Sequence, residues 1–204
     1  MRKIILLVLL CFCVTGCGKE EVVSDNYGYT GYEVLMSDKT LDVVYDDKTF
    51  CITPLKDSFA EFVDEGTCSF NYVTTEKDTV KYVVDVYTKK EFKDISDSFW
   101  LEDFDNTKKV MVKVPWITNP CSIIYSSYKD YKLPVSFIAF TELNGNNVVV
   151  TATLESKNIW KDIFRDYDKI DKDTILSTCM YYEKNANCII DTLVMIMDNI
   201  RIGE

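Results

Sequence analysis

Histidine is absent from the 204 residues, and that absence excludes several chemistries at once. No Ser-His-Asp triad, Cys-His dyad or histidine-bearing zinc site can be assembled from this chain. What remains available is carboxylate, lysine, tyrosine or serine chemistry. Arginine is almost as scarce, with Arg2, Arg165 and Arg201 the whole complement, so bidentate clamps for phosphate or carboxylate are few. No pair of cysteines stands at the C-x-x-C spacing that tetrahedral zinc favours, and neither a metal nor any other cofactor is expected. A basic footprint is also missing. The formal net charge is -10, which disfavours nucleic acid as a partner, because phosphate binding needs clustered lysine and arginine. Internal repeats and low-complexity tracts are lacking too.

What the chain does have is 47% hydrophobic and 27% charged residues, enough apolar material for a packed core and too much for disorder throughout. The length suits one domain. Solubility is the simplest account of the acidity.

The N-terminus opens with Arg2 and Lys3, continues through the apolar run Ile4 to Cys13, and ends in Val14-Thr15-Gly16-Cys17. This is the layout of a secretory signal. The run is shorter than the roughly 20 apolar residues that cross a bilayer. The segment resembles a bacterial lipobox. That resemblance implies cleavage between Gly16 and Cys17, a diacylglycerol on the Cys17 sulfur, and a protein held on the extracellular face of the cell membrane. Acyl chains anchor because each buried methylene contributes about 0.8 kcal/mol, and two chains hold where one barely does. Loss of Arg2 and Lys3 takes the remainder to about -12. The bias toward lysine, asparagine, isoleucine and tyrosine, taken with the lipobox, points to a Gram-positive host.

Three regions follow from this reading: a signal over 1–16, a lipidated tether over 17–38 and a globular domain over 39–204. The tether contains Asn26-Tyr-Gly-Tyr-Thr-Gly-Tyr32, where glycines interrupt regular structure and no apolar period appears. Within the domain, Leu41 to Tyr45 and Lys48 to Ile52 read as a hairpin around Asp46-Asp47. Pro54, Asp57 and then Phe59, Phe62 and Val63 at helical spacing, stopped by Gly66, predict a helix. Cys68 to Thr75 and Thr79 to Thr88 alternate as paired strands. A short helix or loop spans Lys90 to Phe104, and Val110 to Val114 is a strand ended by Pro115. Val135 to Thr141 and Val148 to Leu154 flank Asn144-Gly-Asn-Asn147, the clearest hairpin signal. Asn158 to Tyr167 should be helical, Asp166 to Thr174 a charged connection, and Cys188 to Asn199 a buried apolar helix.

This order of elements predicts a single α+β domain, an antiparallel sheet with helices packed on it. The opening hairpin, the central strands and the ending Asp191 to Ile202 resemble the PsbP-like domain of photosystem subunits and some bacterial lipoproteins, over about Leu41 to Ile202. Where that family often carries tryptophan three residues after the first proline, this chain has Asp57. Pro54 to Gly66 also resembles small clostridial lipoproteins of unknown function. Both resemblances imply an envelope role and neither supplies a catalytic residue.

Five cysteines lie beyond Cys17, and Cys51 with Cys68, or Cys179 with Cys188, are the local pairs that could form disulfides; the alternative is five small buried hydrophobes. Ser126-Ser-Tyr-Lys129 has the S-x-x-K spacing in which a lysine one helical turn on activates a serine, but the lysine-threonine-glycine strand of such enzymes is absent. Asp166, Asp168, Asp171 and Asp173 suggest calcium, yet lack the glycine and glutamate positions of an EF-hand. Trp100, Trp116 and Trp160 could line a cleft or fill the core. The sequence therefore favours a membrane-anchored, non-catalytic binding or assembly module, with an envelope protein or cell-wall ligand as partner. The alternative is a small envelope hydrolase using carboxylates or Ser126 and Lys129. A transporter's solute-binding component is disfavoured, since those usually carry two lobes.

Overall fold

The computed structural model describes residues 34–73, 79–100, 107–128, 134–155 and 189–203. It is built on two antiparallel sheets. The smaller has the order β1-β2-β10, from β1 (Leu41–Tyr45), β2 (Lys48–Ile52) and β10 (Arg201–Ile202). The larger runs β3-β4-β5-β9-β8-β7-β6, from β3 (Phe59–Asp64), β4 (Thr67–Val73), β5 (Thr79–Thr88), β6 (Thr107–Val114), β7 (Cys121–Tyr128), β8 (Pro134–Leu143) and β9 (Asn146–Glu155). Helix is limited, among the described residues, to α1 (Lys89–Ser96), a 3-10 turn over Asp97–Trp100 and α2 over 189–199.

The molecule is therefore mostly β-sheet, which corrects the α+β expectation of a sheet with several packed helices. The main reversal is at residues 54–66. Asp57 takes φ 63, a left-handed conformation that stops a helix from propagating out of Pro54. Phe59–Asp64 then run as β3, pairing antiparallel with β4 through the Glu65-Gly66 turn. Spacing alone could not separate the two outcomes, because three apolar residues at positions 1, 4 and 5 of a short run fit a helix face or a bulged strand. The register shift lies between Ala60 and Phe62. Strand β7 was also unassigned in the sequence, where Ser126 was considered as part of a helical motif.

Other elements follow their local chemistry. Asp46 and Asp47 take φ 52 and 57, and Asn144 and Gly145 take φ 50 and 85. Positive φ at both central residues is what a tight two-residue hairpin needs, so both turns lie where Asp-Asp and Asn-Gly put them. Thr88 caps α1 with a complete capping box, its side chain accepting from Glu91 N while Glu91 accepts from Thr88 N. Even before β1 the chain engages the fold: Met36 bridges Leu55, Ser37 N donates to Pro54 O at 2.9 Å and Lys56 N to Leu35 O at 2.9 Å.

Parity assigns the two faces of the large sheet. Phe70, Tyr82, Val84, Val150, Ala152, Phe137, Ala139 and Ile123 lie on the face that meets α2 and the small sheet, in one core with Val43, Phe50 and Ile52. The apolar stripes expected for α2 are buried there: Ile189, Ile190, Leu193, Val194, Ile196 and Met197 are almost fully enclosed. The opposite face carries a smaller cluster, Phe99, Ile124 and Val149 with Phe92 and Phe140, beneath α1 and the 3-10 turn. Asn119 ties the end of α2 to the sheet, its Nδ2 donating to Met197 O at 2.7 Å and Ile200 O at 2.9 Å.

Candidate functional site

Ser126 lies on β7, paired in register with Lys109, so it is on a strand and not on the helix its spacing with Lys129 invoked. Lys129 itself lies outside the described residues, as do Cys17, Cys179, Cys188, Trp160 and the acidic run Asp166 to Asp173. Cys51 and Cys68 carry free thiols on separate sheets, as does Cys121 on β7. Burial pushes the Cys68 and Cys121 thiols up to about 12, which keeps both as inert hydrophobes at neutral pH. Trp116 is exposed and so fills no core. Among the described residues no group of three or more Cys, Asp or Glu could hold a metal ion, and no helix is long and apolar enough to cross a membrane.

Two polar clusters have defined geometry. On β3, Glu61 accepts from Lys81 Nζ at 2.6 Å, Asn71 Nδ2 at 2.7 Å and Ser69 Oγ at 3.2 Å. Lys81, then Asn71, hold its carboxyl below the ordinary carboxylate range. At the other cluster, Glu91 Oε2 accepts from Tyr45 Oη at 2.5 Å, Thr88 N at 2.8 Å and Thr88 Oγ1 at 2.8 Å. Each carboxylate already accepts three hydrogen bonds. Such groups bind cross-strand neighbours or cap a helix and are poorly placed to take up a proton in catalysis.

The most distinctive surface is β3 itself. All six residues are exposed, with Phe59 at 68%, Phe62 at 44% and Val63 at 46%, and among the described residues β3 ends the large sheet with β4 as its one ladder partner. Edge strands usually carry charge or cover on their apolar side chains, because unpaired backbone groups template further pairing. Between β3 and β1 runs a groove of about 450 Å³, lined by Val44 and Val63 and by Asp42, Asp46, Asp47, Asp64 and Glu65. Val44 is 54% exposed. The sequence reading misses this surface, because Phe59, Phe62 and Val63 stand at helical spacing. The signal that could have found it is Glu65-Gly66 followed by the alternating strand Thr67 to Val73, a hairpin turn preceded by its own strand.

A second cleft of about 230 Å³ lies between the 54–57 turn and the end of β4, lined by Val34, Leu35, Leu55, Lys56, Asp57, Tyr72, Val73 and Thr192. Thr192, on α2, is fully buried and its Oγ1 has no hydrogen-bond partner among the described residues.

Neither a family model nor a curated protein matches the chain.

Proposed function

We propose that the protein is a non-catalytic binding or assembly module of the cell envelope, tethered to the outer face of the membrane through lipid on Cys17. The observation that carries the binding part is β3, an edge strand whose three large apolar side chains are left in solvent. Burying Phe59, Phe62 and Val63 against a partner would recover about 1.5–3 kcal/mol for each one fully covered. Nothing in the packing of the described core requires those side chains. The anchor part rests on Arg2, Lys3, the short apolar run and the small residues before Cys17. A tethered module needs no affinity for the membrane of its own, and the net acidic chain offers none to anionic lipid.

The test has two arms. Cys17→Ala should release the protein from the membrane or leave it unprocessed, whereas unchanged processing and retention overturn the anchor. Crosslinking in living cells should capture an envelope component through β3. Failure to capture one, combined with turnover of a wall-derived substrate by the purified chain, would replace the module with the hydrolase reading.

A further inference from the structure

We infer that the groove between β1 and β3 receives an extended, lysine-rich segment of a partner protein, which adds as a strand to the free edge of β3. This rests on the binding-module reading and specifies the chemistry of its partner. Three observations carry it. The first is the edge. β3 pairs with β4 on one side only, and among the described residues no other backbone hydrogen bond reaches it. An added strand gains main-chain hydrogen bonds there, and its alternate side chains point to opposite faces of the sheet.

The second observation is what each face offers. Val63 pairs across the ladder with Cys68 and shares its face, toward the groove, while Phe62 pairs with Ser69 and faces the other way. An incoming strand that alternates lysine with an apolar residue satisfies both. Its apolar residues cover Phe59 and Phe62. Its lysine stems lie along Val44 and Val63 while the ammonium groups reach outward, as long cationic side chains do on apolar surface.

The third is charge. The carboxylates around the two valines have no ion pair among the described residues; the salt bridges present are Lys81 with Glu61 and Lys89 with Glu142, both elsewhere. The basic side chain nearest in sequence, Lys48, is engaged by Asn144 O at 3.0 Å and Asn146 Oδ1 at 2.6 Å. A second copy of this chain would bring the same carboxylates against one another at a net charge of -10 per chain, and nucleic acid or anionic lipid would be repelled. An extended cationic peptide suits both the apolar floor and the acidic rim.

The probe is a fluorescein-labelled peptide of four Lys-Val repeats, titrated into the full-length protein in neutral detergent, with Thr-Val and Glu-Val repeats of equal length as controls. Saturable binding is expected for Lys-Val, at least tenfold tighter than for either control and weakened severalfold between 0.05 and 0.5 M salt, on the scale of screening at about those ionic strengths. Reversing Asp64→Lys with Glu65→Lys should weaken Lys-Val at least tenfold, while Asp38→Lys with Asp94→Lys, an equal charge change on other exposed acids, should not. In the unsubstituted protein, bound Lys-Val should slow amide hydrogen exchange in residues 59–63. Equal binding of Lys-Val and Thr-Val, equal effects of the two charge reversals, or no protection of β3 overturns the inference. If β3 still captures a partner in cells after such a failure, the module reading stands without this partner chemistry; if it captures none, both fall.

Discussion

Gly66 and Tyr45 are fitted to one another. A Cβ placed on Gly66 would lie 2.8 Å from Tyr45 Cδ2, inside any tolerable contact. Gly66 also holds φ 73, donates its N–H to Val44 O at 2.9 Å and accepts from Val86 N at 2.8 Å. The β3–β4 turn is thereby pinned between the two sheets, and one wall of the groove is set by it. Gly66→Ala should destabilise the protein by about 1–3 kcal/mol, combining positive-φ strain with the clash. Adding Tyr45→Ala should remove the steric part and leave the backbone part, a coupling readable in urea unfolding. Strict additivity of the two substitutions would contradict the contact.

The Tyr45–Glu91 bond sets a pH window. Its first cause at both ends is the same contact: Tyr45 lowers the Glu91 carboxyl below its ordinary 4.5, and Glu91 raises the Tyr45 phenol above its ordinary 10.0. A depressed carboxyl contributes stability above its ordinary value and loses it as pH falls through the lowered one. A raised phenol contributes below 10.0 and loses it as pH rises through the higher one. The difference in urea midpoint between the unsubstituted protein and Glu91→Gln should therefore be largest near neutrality and shrink toward both extremes. A difference that does not vary with pH would show that ionisation of this pair is irrelevant.

Neighbouring positions on α2 should respond in opposite directions. Leu193 is fully buried in the main core, so Leu193→Ala should cost about 2–5 kcal/mol. Thr192 is equally buried, but its hydroxyl lacks a partner among the described residues. Thr192→Val replaces an unpaired polar atom with a methyl of similar size and should be neutral or stabilising by up to about 2 kcal/mol. Thermal or urea unfolding decides both. Clear destabilisation by Thr192→Val would mean that the hydroxyl is satisfied in solution by something in the adjoining cleft.

The free thiols should separate by reactivity. Cys68 and Cys121, pushed up to about 12 by burial, should react with maleimide only on unfolding. Cys51 is half-buried and raised by desolvation and by its hydrogen bond with Asp42, so it should react slowly in the native state. Peptide mass spectrometry of timed labelling distinguishes them. A Cys51–Cys68 disulfide in the isolated protein would contradict the fold as described.

The legible parts of the chain were those in which local chemistry and tertiary packing agree. Asp46-Asp47 and Asn144-Gly145 specify their own turns, Val80, Tyr82, Val84 and Val86 alternate onto one buried face, and the stripes of α2 are apolar because they are enclosed. Residues 54–66 read as a helix because Phe59, Phe62 and Val63 fall at helical spacing between Pro54 and Gly66. They are exposed. Their pairing with Cys68 to Asn71 runs through the two-residue Glu65-Gly66 turn, a local hairpin signal that the helical spacing of the three apolar residues outweighs. The groove is invisible in the sequence because Val44 and Val63 come from strands in different sheets, and the acids beside them look like ordinary solvated charge until the sheets meet.

Photocrosslinking from within β3 in living cells decides whether this edge binds a partner. A photoreactive residue at position 62, with one at the exposed position 116 as control, would be irradiated in cells expressing the full chain. A discrete adduct is expected from 62 and none from 116, with the partner's crosslinked peptide mapping to one lysine-rich segment. Equal labelling from both positions, or no adduct from 62, would contradict binding at this edge.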